Sequence, residues 1–252
     1  MERTALPGRL AWQSARVLAV VDETPHVKSL ELDVPGWTGH LAGQHVDVRL
    51  TAEDGYQAER SYSIASPPEA RQLTLTVERL DDGEVSPYLT DGLQLGDQLE
   101  LRGPIGGYFT WHVAQGGPLL LIAGGSGIVP LMAMLRHRAA QHSVVPTRLL
   151  YSSRAFDEIV YGAELARLTA VDPTLIVTHT LTRRQPPNWS AYARRIDRAM
   201  LEAVVWPASA QPLAFVCGPT ALVETVASAL VNLGHDPQRV KTERFGPGGR
   251  AP

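Results

Sequence analysis

Polar and apolar residues alternate at nearly every second position in five short runs of the first half of the chain, 15–21, 29–34, 45–50, 72–79 and 98–102. A period of two puts successive side chains on opposite faces, so each run predicts a half-buried strand. Arg60 to Ser66 predicts a further strand, stopped by Pro67-Pro68. Turn formers at Pro35-Gly36, Asp54-Gly55, Asp82-Gly83 and Gly96-Asp97 separate the runs. Short strands at such intervals predict an antiparallel barrel or sandwich. One short helix fits 83–93, with Ser86 as N-cap and Pro87 as its first residue.

After Gly117 the period changes. Apolar runs at 119–123, 148–152, 175–181 and 213–217 alternate with helical stretches at 130–141, 161–169, 196–205 and 219–233. Continuous apolar strands alternating with helices predict a parallel α/β sheet with right-handed crossovers. The expectation is two domains, 1–113 and 114–252.

The stretch 118–135 carries the most pointed local chemistry. A buried strand runs into Gly124-Gly125-Ser126-Gly127, and Pro130 then fits the first turn of a helix. Glycines let backbone N–H groups approach a phosphate, and a helix N-terminus favours an anion. A tight structural turn accounts for the same residues. The spacing is neither G-x-G-x-x-G nor a P-loop, and it is not a nucleophile elbow.

Composition narrows the classes. With 252 residues, 44% hydrophobic and 19% charged, the chain has the makeup of a soluble globular protein. A net charge of −3 gives no reason to expect nucleic acid or an anionic membrane as partner. The N-terminus lacks the apolar core of a secretion signal, so a cytoplasmic protein is expected. One cysteine, Cys217, excludes an internal disulfide and a cluster held by four thiolates of this chain. The histidines show no paired ligand spacing, and no metal is expected.

In an open parallel sheet ligands bind at the carboxyl ends of the strands. Those ends are Gly124–Gly127, Ser152-Ser153-Arg154, Thr182-Arg183-Arg184 and Cys217-Gly218-Pro219. Arginine there suits an extra phosphate, though each also reads as a solvated surface cation. Cys217 by itself reads as a small buried hydrophobe.

Arg60-Ser61-Tyr62-Ser63-Ile64-Ala65-Ser66 resembles the Arg-x-Tyr-Ser/Thr flavin signature of the ferredoxin–NADP reductase superfamily. The resemblance continues in family order through Gly83-Glu84-Val85-Ser86, the segment 103–109, the loop 124–130 and Cys217-Gly218-Pro219. It implies a flavin-binding antiparallel β-barrel followed by a nicotinamide nucleotide-binding α/β domain. It implies that Arg60 meets a flavin phosphate, Tyr62 packs on the isoalloxazine and Ser63 bonds near its N5. Gly83 to Ser86 would receive the pyrophosphate of FAD, with FMN as the alternative. Gly124 to Gly127 would receive NADPH or NADH, with Ser126 close to the flavin. Ser153, Arg154, Arg183 and Arg184 would favour the 2′-phosphate, whereas the acids Asp157 and Glu158 stand nearby and Asp157, if it points at the ribose, would oppose it. Cys217 would flank the nicotinamide, and Phe245 would shield the flavin, although the tail runs on to Pro252.

Many such relatives carry a plant-type ferredoxin module, whose cluster this chain cannot build. The resemblance therefore implies a separate acceptor, such as a ferredoxin, an oxygenase or a molybdoenzyme. A reductase of free flavin or quinone and a non-catalytic nucleotide-binding subunit are the competing readings.

Overall fold

The computed structural model describes residues 10–245. Its first layer is an antiparallel sheet of β1 (Gln13–Thr24), β2 (Val27–Asp33), β3 (His45–Thr51), β4 (Gln57–Ser63), β5 (Leu73–Glu78) and β6 (Gln98–Ile105). The order is β4-β3-β6-β1-β2-β5. The sheet curls until its edges meet: Ile64, just beyond β4, bridges Leu75 of β5, and Ala65 N donates to Thr74 O at 2.8 Å. That contact closes a barrel around Leu30, Val46, Val48, Leu75, Leu89 and Leu101, all buried. Closure leaves no exposed sheet edge at this end.

The second layer is a parallel sheet in the order β11-β10-β7-β8-β9. Its strands are β7 (Leu119–Gly124), β8 (Thr147–Ala155), β9 (Leu175–Arg184), β10 (Leu213–Pro219) and β11 (Val240–Phe245). Helices α1 (Ile128–Ala140), α2 (Gly162–Val171), α3 (Arg198–Val204) and α4 (Thr220–Asn232) cover its two faces. Every residue of β7 is buried, as its unbroken apolar run requires. The strand order reverses between β7 and β10, which makes their carboxyl ends the switch point where such sheets bind ligands.

Two expectations are corrected. The helix over 83–93 is a single π-type turn, Tyr88–Gly92, and Ser86 does not cap it. The Ser86 hydroxyl instead accepts from Leu80 N at 3.0 Å and ties down the preceding turn. The edge strand β11 was not anticipated, because Val240 and Phe245 enclose four polar residues.

The halves meet along α1. Arg136 donates to Ala65 O of the barrel at 2.8 Å and to both oxygens of Glu164 at 2.9 and 2.6 Å. One residue on, Val113 N donates to His137 Nε2 at 3.4 Å, so Nδ1 carries the proton and donates to Glu69 at 2.7 Å. Phe109, between the sheets, sets its ring edge-on to Phe215 of β10 at 5.2 Å. This seam fixes where the end of β4 lies relative to the parallel sheet.

Candidate functional site

On the barrel side the motif after Gln57 divides its side chains by strand alternation. Arg60 and Ser61 are exposed, Tyr62 is half-buried, and Ser63, Ile64 and Ser66 are buried. Burial raises the Tyr62 phenol above its usual range and keeps it neutral. Ser61 is taken up by the barrel surface, donating to Asp47 at 2.6 Å. Ser66 Oγ accepts from Thr74 N at 3.0 Å and serves barrel closure. Ser63 differs from both: its Oγ is buried and has no hydrogen-bond partner. An unpaired buried hydroxyl is unfavourable unless something bound there supplies the missing bond.

Arg60 is paired with the neighbouring motif. Its Nη2 donates to Glu84 Oε2 at 2.9 Å and its Nη1 to Glu59 O at 2.8 Å. Gly83, Val85 and Ser86 form the framework around Glu84. Val85 is in the barrel core, and a Cβ on Gly83 would lie 2.9 Å from Ser86 Oγ.

On the other side two backbone segments converge. A Cβ on Gly127 would fall 2.3 Å from Cys217 O and 2.7 Å from the Cα of Gly218. A Cβ on Gly124 would meet Leu222 at 2.7 Å and Pro219 at 3.1 Å. Only glycine lets the turn after β7 lie this close to the end of β10. Gly125 adopts φ +54°, and its carbonyl accepts from Tyr151 OH at 3.2 Å. Neither α1 nor α4 has a side chain capping its N-terminus. A helix N-terminus that no side chain caps suits a phosphate, although Ile128 N is already bonded to the carbonyls of Gly125 and Ser126. Pro130, buried in the first turn of α1, withdraws no needed donor. Ser126 is half-buried beside them.

Farther along the edge, Ser153 is buried with its Oγ unpartnered, while Arg154 and Arg183 are exposed. Arg184 holds Asp157 through two contacts of 2.8 Å and draws the carboxyl below its usual range.

Cys217 is fully buried in the cluster that also holds Ala65, Phe109 and Phe215, and Phe245 packs half-buried against that cluster. Burial, with Glu243 adding to it, pushes the thiol well above its ordinary value. Cys217 is therefore not an ionised nucleophile. Glu243, its register partner on β11, was missed by sequence reasoning. Burial raises its carboxyl to about 7, which makes it the one acid at this strand end poised near neutrality. The tail beyond Phe245 lies outside the described residues.

The orphaned Ser63 hydroxyl and Arg60 at a barrel strand end, and a glycine turn with helices that lack side-chain caps at the switch point, suit a flavin and a nicotinamide nucleotide. Residues 15–110 match the oxidoreductase FAD-binding domain and 121–228 the oxidoreductase NAD-binding domain. The chain belongs to the ferredoxin–NADP reductase superfamily. It is 30% identical over 239 residues to the glycine betaine monooxygenase reductase subunit of Chromohalobacter salexigens, covering 92% of this chain and 64% of that one. It is 26% identical to the reductase component of the naphthalene 1,2-dioxygenase system of Pseudomonas putida, over 92% of this chain and 69% of the relative. Among solved structures, the Amycolatopsis cytochrome P450 reductase GcoB superposes with a TM-score of 0.82 at 27% identity, covering 95% and 71% of the two chains. The chain thus spans about two thirds of the length of the glycine betaine relative. Among the described residues, no helix is long and apolar enough to cross a membrane.

Proposed function

We propose that the chain is an FAD-dependent NAD(P)H oxidoreductase that passes electrons to an acceptor outside its two domains. The observation that carries this is the buried, unpartnered Ser63 Oγ, at the strand end that bears Arg60 and Tyr62. Its hydroxyl is available to bond a flavin ring atom, Tyr62 offers an apolar ring with a neutral phenol, and Arg60 offers charge to a phosphate. Bound there, the flavin would supply a hydride acceptor able to release electrons one at a time. The turn from Gly124 to Gly127 and the N-terminus of α1 would seat the nicotinamide nucleotide by backbone donors. Gly218 and Pro219 would shape the pocket floor beside it. Cys217 would pack against the nicotinamide as a neutral apolar group. Phe245 would cover the flavin until the nucleotide enters, and Glu243 would hold or release a proton at its carboxylate.

We place the domain boundary at 113/114. The acceptor class we favour is an iron–sulfur or oxygenase component, as in the systems that the relatives' names describe. A molybdoenzyme fits the same one-electron chemistry. We assign the cytoplasm as the working compartment, since NAD(P)H is held there.

The test is anaerobic. The purified protein should be yellow and bleach on addition of NADPH or NADH, and one-electron dyes or a ferredoxin should reoxidise it faster than quinone or free flavin. Faster turnover with the diffusible acceptors would replace this reading by a flavin or quinone reductase. A colourless chain, or one that no nicotinamide bleaches, would leave only a nucleotide-binding subunit.

A further inference from the structure

We propose that Glu84 is a built-in competitor for the flavin phosphate, holding Arg60 in the flavin-free chain and keeping flavin affinity below what the arginine alone would give. The inference rests on the reading of Arg60 as a phosphate ligand and adds the residue that tunes it.

Both oxygens of the Glu84 carboxylate are engaged. Arg60 Nη2 donates to Oε2 at 2.9 Å, and Tyr56 OH donates to Oε1 at 3.0 Å. The bond from Arg60 Nη1 to Glu59 O, at 2.8 Å, fixes the plane of the guanidinium so that its other arm faces Glu84. The rest of the turn cannot take this part. Val85 is buried in the barrel core, Ser86 bonds Leu80 N, and Gly83 has no side chain. Glu84 is the one exposed residue of the four, and it reaches back to the motif arginine.

A carboxylate in the middle of an anion-binding turn acts in two ways. A phosphate must take Arg60 away from it, so the gain is the difference between two ion pairs instead of a whole one. Its negative charge then stays beside the phosphates and repels them, with water and salt screening part of the effect. The nucleotide turn on the parallel sheet has no such internal anion: the first turn of α1 carries no acidic residue.

The test measures flavin retention directly. Serial dilution of the flavin-loaded protein, with ultrafiltration and fluorescence of the free FAD, gives the dissociation constant without turnover. Glu84→Gln keeps the shape and removes the charge. It should bind FAD roughly three- to tenfold more tightly, the range expected when an exposed ion pair and its screened repulsion are removed. Glu84→Ala should move in the same direction. In an Arg60→Ala background the Glu84→Gln gain should shrink to the part that direct, screened repulsion supplies, because the competition for Arg60 is gone. Equal or weaker FAD retention by Glu84→Gln, or a gain that is undiminished without Arg60, overturns the proposal. A wild-type chain that retains neither FAD nor FMN overturns the flavin reading itself and this proposal with it, an outcome distinct from flavin retention that Glu84 does not affect.

Discussion

The two halves of the molecule prepare for anionic ligands by opposite means. The barrel presents side chains at a strand end, the exposed Arg60 and the unpartnered Ser63, on a scaffold whose residues alternate between core and solvent. The parallel sheet presents backbone: a glycine turn packed against β10 and two helix N-termini without side-chain caps. A side-chain site can be tuned by one neighbouring charge, as Glu84 does to Arg60. A backbone site has no charge to tune and depends on the absence of atoms. The first should therefore respond to charge and salt, and the second to volume.

The sharpest test of that contrast is Gly127→Ala. Its new Cβ would lie 2.3 Å from Cys217 O and 2.5 Å from Cys217 C, and both are strand backbone. Relief requires β7 and β10 to separate, so we expect a loss of about 1–3 kcal/mol in chemical denaturation, as for overpacked cores. Nicotinamide nucleotide binding should be abolished while the barrel keeps its flavin. Unchanged stability with normal nucleotide binding would show that volume does not govern this turn.

Arg60→Ala probes the other half. A charge-assisted phosphate contact is worth ~1.5–3 kcal/mol, and exposure together with competition from Glu84 brings the expected loss to the low end, about tenfold in flavin retention. Fold stability should hardly change, since exposed ion pairs contribute ~0–1 kcal/mol. Equilibrium dialysis against FAD at two salt concentrations checks both points. A salt-independent loss would break the side-chain account of the barrel site.

The contrast also explains what the sequence revealed. Period-two runs gave the barrel strands and apolar runs gave β7 to β10, because burial on one face or on two leaves different patterns. The glycine turn was legible because only glycine tolerates so close an approach of two strands. Glu84, by contrast, reads as a solvated acid until the fold brings Arg60 and Tyr56 to it from β4 and the residue before it. Glu243 escaped notice because its burial comes from packing beside Cys217, on a strand whose apolar residues stand only at its ends. The expected role of Ser86 failed for a related reason: its hydroxyl had a nearer backbone partner, Leu80 N, than the helix start.

Glu243 gives the parallel half one charge-dependent feature, which pH can isolate. Burial raises its carboxyl from 4.5 to about 7. Between those values the folded chain keeps a proton that the unfolded chain has released, so stability falls as pH rises through this window and is level above it. Glu243→Gln should flatten that slope. It should match the parent near pH 4 and exceed it at pH 8 by about 1–2 kcal/mol, less than the full shift implies because water still reaches the group. Parallel denaturation curves for both proteins across the range would remove Glu243 as a buried acid.

The smallest effect concerns the edge where the parallel half uses side chains after all. NADPH and NADH differ by one 2′-phosphate, so any preference must come from groups that meet it. Asp157, the carboxylate that would repel the phosphate, is held by Arg184 through two contacts of 2.8 Å. That pairing offsets the repulsion and occupies Arg184, so on the proposed reading the exposed Arg154 and Arg183, with the unpartnered Ser153 hydroxyl, would be the groups to meet the phosphate. NADPH should therefore be preferred. Arg154→Ala should raise its KM by roughly three- to fivefold and leave that of NADH nearly unchanged, the scale of one exposed, screened contact. Arg184→Ala should shift the preference the same way, by freeing Asp157 to repel the phosphate and to accept the 2′-OH of NADH. Steady-state kcat/KM for both nucleotides decides the matter. Equal values in the parent protein, or equal losses for both nucleotides in Arg154→Ala, would show that this edge carries no phosphate recognition and that the parallel half binds its nucleotide by backbone alone.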